Sequence, residues 1–201
     1  MTADWAVINV QGPSSLALLR RLVPEVAGLQ FSRSVEARLG EARVRLLRLS
    51  YVGELGYEVH VPRAEAGHVL DTLLATAEAV GQEVTLAGME AMESLALEAG
   101  YRHWPSDISQ VEHCVCMEAS CHTILQIDTP LEAGLGWVCS KTKQFRGQRR
   151  MQERRRAAGH KSLVCLSLEP GALVLGSEPI LCDGDIVGYV RRSETGRVIA
   201  V

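Results

Sequence analysis

Long apolar runs are missing from this chain of 201 residues. Nothing in it approaches the roughly 18 to 20 consecutive apolar residues that a membrane-spanning helix needs. A charge surplus is missing too. Lys and Arg total 21 against 24 Asp and Glu, a net charge of -3, so the electrostatic footprint of a nucleic-acid binder is absent. The basic run Arg154–Arg156, with Arg149 and Arg150 just upstream, reads as one solvated helix face. No strand is followed by Gly-x-Gly-x-x-Gly, and neither a phosphate-loop lysine motif nor a Gly-x-Ser-x-Gly elbow occurs. No signal or transit peptide opens the chain. Both ends read as strand, at Ala6–Val10 and Arg197–Val201, so the chain is read as an internal piece of a longer protein. Six cysteines do not indicate a disulfide scaffold, because a chain of this size with 47% hydrophobic residues can build a core unaided. Cys139, Cys165 and Cys182 stand among apolar neighbours and read as buried thiols.

The element pattern is mixed. Ala6–Val10 reads as a strand ending at Gln11-Gly12-Pro13, and Ser14 and Ser15 offer an N-cap for a short helix to Leu22. A β-branched and leucine-rich run, Arg43–Val52, is interrupted by Gly53-Glu54-Leu55-Gly56, whose two glycines predict a tight turn or bulge. Strict alternation resumes over Tyr57–Val61, and Pro62 ends that strand. A helix follows to Val80 with Leu70, Leu73, Leu74, Ala77 and Val80 as its stripe, stopped by Gly81. A second, over about 87–99, has Met89, Met92, Leu95 and Ala99 as its apolar face and stops at Gly100. A charged helix spans 147–157, and short strands follow at Leu163–Leu168, near Leu173, at Pro179–Cys182 and at Ile186–Arg191. Asp183-Gly184 between the last two is the strongest hairpin signal in the chain. The pattern predicts an α+β domain followed by the beginning of a small antiparallel barrel.

Chemistry concentrates in Ser50–Val59. On the strand after the turn, Tyr57, Val59 and Val61 share one face, and Glu58 and His60 share the other. The residues alone leave two readings: a polar face turned to water, or Glu58 pointed into a cavity. There a carboxylate could accept two parallel hydrogen bonds from a guanidine-like heterocycle edge.

Tyr51-Val-Gly-Glu-Leu-Gly-Tyr-Glu58 resembles the folate-domain signature of the aminomethyltransferase (glycine-cleavage T-protein) family. Further segments are similar to that family in the same order: Ile8–Ser14, Leu97–Trp104 with Asp107-Ile108, Thr129–Trp137 with Lys143–Gly147, and Gly176–Val190. Gly100-Tyr-Arg-His-Trp104 resembles the sarcosine and dimethylglycine dehydrogenases, in which such a domain follows a flavin domain. The resemblance implies a T-protein-like folate-binding domain over 1–158, N-terminally truncated, and a partial C-terminal β-barrel over 159–201. Tetrahydrofolate is the implied cofactor, with Glu58 on its pterin ring and Tyr51 and Tyr101 lining the site. Neither a nucleic acid nor a membrane is expected as a partner. FAD is expected only in a covalently linked domain of the parent, and the implied location is the mitochondrial matrix, with the cytoplasm as the alternative. The family's folate-contacting arginine falls at Met92, and its catalytic aspartate belongs to a segment this chain does not contain. No catalytic residue is therefore assigned, and the isolated chain is expected to oxidise neither sarcosine nor dimethylglycine. A non-catalytic module of the same fold, like the regulatory subunit of pyruvate dehydrogenase phosphatase, is the alternative.

Residues 109–128 stand outside this resemblance and read as an insertion leaving the domain as a surface loop. They carry His113, Cys114, Cys116, Cys121 and His122, a set with zinc-ligand chemistry. The Cys-x-Cys spacing is tighter than the usual zinc pair, so no metal is assigned, and excision of the segment is expected to leave stability unchanged or improved.

Overall fold

The computed structural model describes residues 3–104, 106–108, 129–157, 161–169, 171–194 and 197–200. The chain divides into two compact units, Met1–Ala99 and Gly100–Val201. Both pair strands in antiparallel sheets and carry helices, as the α+β expectation requires.

The first unit is built on β1 (Trp5–Gln11), β2 (Ser34–Leu39), β3 (Ala42–Leu47) and β4 (Gly56–Pro62), in the order β1-β4-β3-β2. Val59 stands opposite Ile8 on one side and Leu46 on the other, and Leu46 stands opposite Val35. Because side chains alternate along a strand, this register gathers Ile8, Val59, Leu46 and Val35 on one face. Helices α1 (Ser15–Leu22) and α2 (Ala66–Ala79) complete the core there, with Leu18, Leu19, Val69, Leu73 and Ala77 buried in the same cluster as Val44, Leu46, Tyr57, Val59 and Val61. Each fully buried Val or Leu contributes about 1.5 to 3 kcal/mol. Helix α3 (Met89–Glu98) follows.

Several local expectations hold. The Ala6–Val10 strand, the strand ended by Pro62 and the helix from Ser15 to Leu22 all form. Gly53, Gly81 and Gly100 take positive φ values of 79°, 65° and 71°, so the turn and both helix stops use the left-handed conformation glycine permits. Others do not hold. The run read as one strand to Val52 ends at Leu47, because the backbone of Arg48 pairs with Arg33 and Ser32 and its guanidinium donates to the Leu29 carbonyl at 3.0 Å. Strand β2 was not foreseen. On α2 the buried stripe is Val69, Leu73 and Ala77, while Val80 is exposed. On α3 Ala96 and Leu97 are buried, and Met89 and Leu95, assigned to the apolar face, are exposed.

The second unit holds α4 (Gln148–Arg156), β5 (Val164–Ser167), β6 (Pro179–Cys182), β7 (Asp185–Glu194) and β8 (Arg197–Ala200). These strands form an antiparallel sheet in the order β5-β8-β7-β6, and no closed barrel occurs among the described residues. Asp183 and Gly184 both have positive φ, 53° and 93°, which is the turn that hairpin β6–β7 was predicted to use. No strand forms near Leu173, which is exposed. The three cysteines read as buried are not: Cys165 and Cys182 are exposed on short strands and Cys139 is half-buried.

Candidate functional site

The face of the first sheet opposite the core is the one that carries polar groups. On β4 it presents Gly56, Glu58 and His60, and the partner register adds Gln11 opposite Gly56, Asn9 opposite Glu58 and Val7 opposite His60. From β3 come Leu47 opposite Glu58 and Arg45 opposite His60, and from β2 Glu36 opposite Arg45. Two contacts link this row. Arg45 donates to Glu36 at 2.5 Å, and the His60 ring nitrogen Nε2 lies 2.9 Å from Glu58 Oε2. The first pair is open to solvent and adds little. Glu58 and His60 are each only 30% exposed, so theirs forms where water is partly excluded. It holds one carboxylate oxygen of Glu58 and leaves the other out of the contact.

The turn before β4 closes one end of this face. Gly12 N–H donates to the Leu55 carbonyl at 2.7 Å, and the Ser15 hydroxyl donates to the same oxygen at 3.3 Å, which ties the start of α1 to the turn. A Cβ at Gly53 would lie 2.7 Å from that of Ala99, so the turn abuts the end of α3. A Cβ at Gly56 would collide with the side-chain amide of Gln11, which occupies the space a larger residue would need.

Of the predicted residues, Glu58 lies on the polar face and Tyr51 is half-buried in the turn that leads into the same strand. Tyr101 belongs to the second unit, is 38% exposed, and accepts a hydrogen bond from Arg192 on its backbone oxygen at 3.0 Å. Met92 is half-buried on α3. Alternation had placed Glu58 and His60 on one face; that they pair directly needed coordinates. The Gln11 amide was missed as a site feature because Gln11-Gly12-Pro13 reads as a strand end. A groove of about 700 Å³ on the first unit is lined by Trp5, Pro24, Glu36, Arg38 and Arg45 among others; it shares Glu36 and Arg45 with the polar row but includes none of the three predicted residues. Among the described residues no group of three or more His, Cys, Asp and Glu is placed to hold a metal. The cluster from His113 to His122 lies outside the described residues.

In the second unit two buried acids are held by arginines. Asp107 accepts from Arg192 at 2.9 Å and from the His103 backbone N–H at 2.6 Å, with Arg191 donating to its backbone oxygen at 3.0 Å. Glu132, 3% exposed, is bound by Arg154 and by the Thr129 hydroxyl and backbone N–H. Burial alone would raise its pKa, but the hydrogen bonds from Thr129 and Arg154 outweigh burial and hold it below the ordinary value. Burial, aided by the nearby positive charge of Arg191, lowers Lys161 to about 8.

Residues 1–143 match the family model of the GCVT N-terminal domain. The chain belongs to that family. It is 34% identical over 201 residues to mitochondrial sarcosine dehydrogenase of Homo sapiens, covering 98% of this chain and 20% of that protein. To the formaldehyde-forming 4-methylaminobutanoate oxidase of Paenarthrobacter nicotinovorans it is 32% identical, covering 98% of this chain and 23% of the oxidase. The solved glycine cleavage system aminomethyltransferase T of Bartonella henselae superposes with a TM-score of 0.71 at 22% identity, covering 98% of this chain and 51% of that one, a likeness of fold. The chain thus spans about a fifth of the length of these two curated relatives.

Proposed function

We propose that this chain is the tetrahydrofolate-binding, one-carbon-handling portion of a sarcosine/dimethylglycine-dehydrogenase-like flavoprotein of choline and glycine catabolism. The observation that carries this reading is the Glu58 carboxylate, partly withdrawn from water on a strand face and steadied on one oxygen by His60. A pterin ring offers two adjacent N–H donors in a guanidine-like edge, and a carboxylate offers two acceptors at matching spacing. The buried amide of Gln11 on the same face, without a partner among the described residues, further suits a polar heterocycle. Tyr51 is proposed to line the ring. Tetrahydrofolate, when bound, supplies the nitrogen atoms that take up a one-carbon unit; the residues named here bind and orient it.

The linked FAD domain and a mitochondrial location belong to the same proposal, and the human relative's name supports the latter. The sheet of the second unit is proposed as part of a larger antiparallel barrel. In support, Leu181, Ile186 and Val187 on β6 and β7, and Leu173 and Leu175 in the segment before them, are all more than 60% exposed, an unusual amount of apolar surface for so short a stretch.

Calorimetry with 5-formyltetrahydrofolate on the 201-residue chain tests the reading. Glu58→Gln keeps the size but replaces one acceptor with a donor facing the ring's own donors. It is expected to cost about 2 to 4 kcal/mol of binding, roughly 30- to 900-fold in affinity, at an unchanged melting temperature. Equal affinity of the two proteins would remove Glu58 from the site.

A further inference from the structure

The Gln11 side chain is held in a way that its own fold does not explain. It is the last residue of β1 and stands opposite Gly56, so it shares the outward face with Glu58, two residues further along β4. The missing Cβ of Gly56 is what lets the amide lie flat over the strand. Both its oxygen and its nitrogen are shielded from solvent, and neither has a hydrogen-bond partner among the described residues. Leaving a buried amide in that condition costs stability. A methionine would fill the same space without that cost, so packing alone does not account for a glutamine here.

We propose that Gln11 is a specificity-determining residue of the ligand site, its amide N–H donating to the 4-oxo group of a 2-amino-4-oxopteridine whose guanidine-like edge meets Glu58. The inference rests on the folate reading above and deepens it. A primary amide carries a donor and an acceptor side by side. The ring N–H beside the 4-oxo group belongs to the guanidine-like edge that Glu58 takes, so the oxo group is the acceptor left for the amide N–H. A site that buries polar groups for one ligand rejects analogues that leave them unpaired, which is a stronger filter than an apolar pocket supplies. Glu58 alone would accept any guanidine-like edge. Gln11 adds the requirement that an oxo group stand on the same ring.

The test separates ligand recognition from packing. Gln11→Met is measured by calorimetry with 5-formyltetrahydrofolate and by thermal melting, both on the 201-residue chain. The expected result is a higher melting temperature together with an affinity about tenfold weaker. Gln11→Ala, which empties the space over Gly56, is expected to show a similar loss of affinity with a lower melting temperature. A 2-aminopteridine lacking the 4-oxo group is expected to bind the native chain and Gln11→Met alike. If the native chain binds the reduced folate and Gln11→Met binds it equally well, Gln11 is a filler and this inference falls while the folate reading stands. If the native chain binds no reduced folate, both fall.

Discussion

Glu132 shows how a single carboxylate stays ionised with almost no water around it. Burial disfavours its charge, yet three donors from Thr129 and Arg154 converge on its two oxygens and reverse the balance. A carboxyl whose folded-state pKa lies below its unfolded value contributes stability that is complete above the ordinary 4.5 and lost as pH falls through the folded value. Glu132→Gln is therefore expected to melt lower than the native chain at pH 7, with the gap closing steadily below about pH 4.5. A gap independent of pH would mean that shape, and not charge, holds the residue. In the sequence, Glu132 appears only inside Thr129–Trp137, a segment whose family likeness says nothing of charge. Glu58 was easier to read, because strict alternation over Tyr57–Val61 fixes which residues share its face. Gln11 was harder, since its meaning depends on the glycine opposite it on another strand.

At the scale of an element, β7 carries an irregularity with a structural consequence. Its pairing with β8 shifts register between Val190 and Arg192, and the bulge frees Arg191 and Arg192 from simple alternation. Both then reach Asp107, one at the backbone oxygen and one at the carboxylate. The Asp107 side chain has no exposed surface and that of Arg192 is 10% exposed, so removing either partner strands a buried charge. Arg192→Met is expected to destabilise the chain by about 3 kcal/mol, whereas Arg191→Met, losing a bond to a carbonyl, is expected to cost about 1 kcal/mol. Chemical denaturation measures both, and equal costs would show that the ion pair is not the anchor. Bulges leave little trace in sequence, and the run Ile186–Arg191 was read simply as a strand. Helix faces failed for a different reason. In Met89–Glu98 the apolar residues, two Met, two Ala and two Leu, fall all round the helix, so several stripes fit and the wrong one was chosen. Strand β2 escaped because its inward positions are only Val35, Ala37 and Leu39, with Glu36 and Arg38 between them, a weak β signal.

For the whole molecule, what was legible is the order of elements and the family likeness, which rests on glycine-marked turns and short motifs that survive without coordinates. Illegible were the packing phases of the helices and the strand order of the second unit, both set by distant partners. The first unit has the makings of an independent fold. Its core runs from Leu18 to Ala77, and its four-stranded antiparallel sheet buries one face beneath α1 and α2. Three or more strands with a covered apolar face are what independent stability in water requires. Its contacts are largely between consecutive strands, β2 with β3 and β3 with β4, while β1 joins β4 across the sheet. Such a topology leaves only one long loop to close, and closure entropy grows slowly with length. Residues 1–99 expressed alone are therefore expected to unfold in one cooperative transition by circular dichroism, with dispersed amide resonances. A sloping, non-cooperative melt would mean that this sheet draws its order from the rest of the chain. Val59→Ala at the centre of the sheet, fully buried between Ile8 and Leu46, is expected to lower that transition by about 2 to 3 kcal/mol through the cavity it opens.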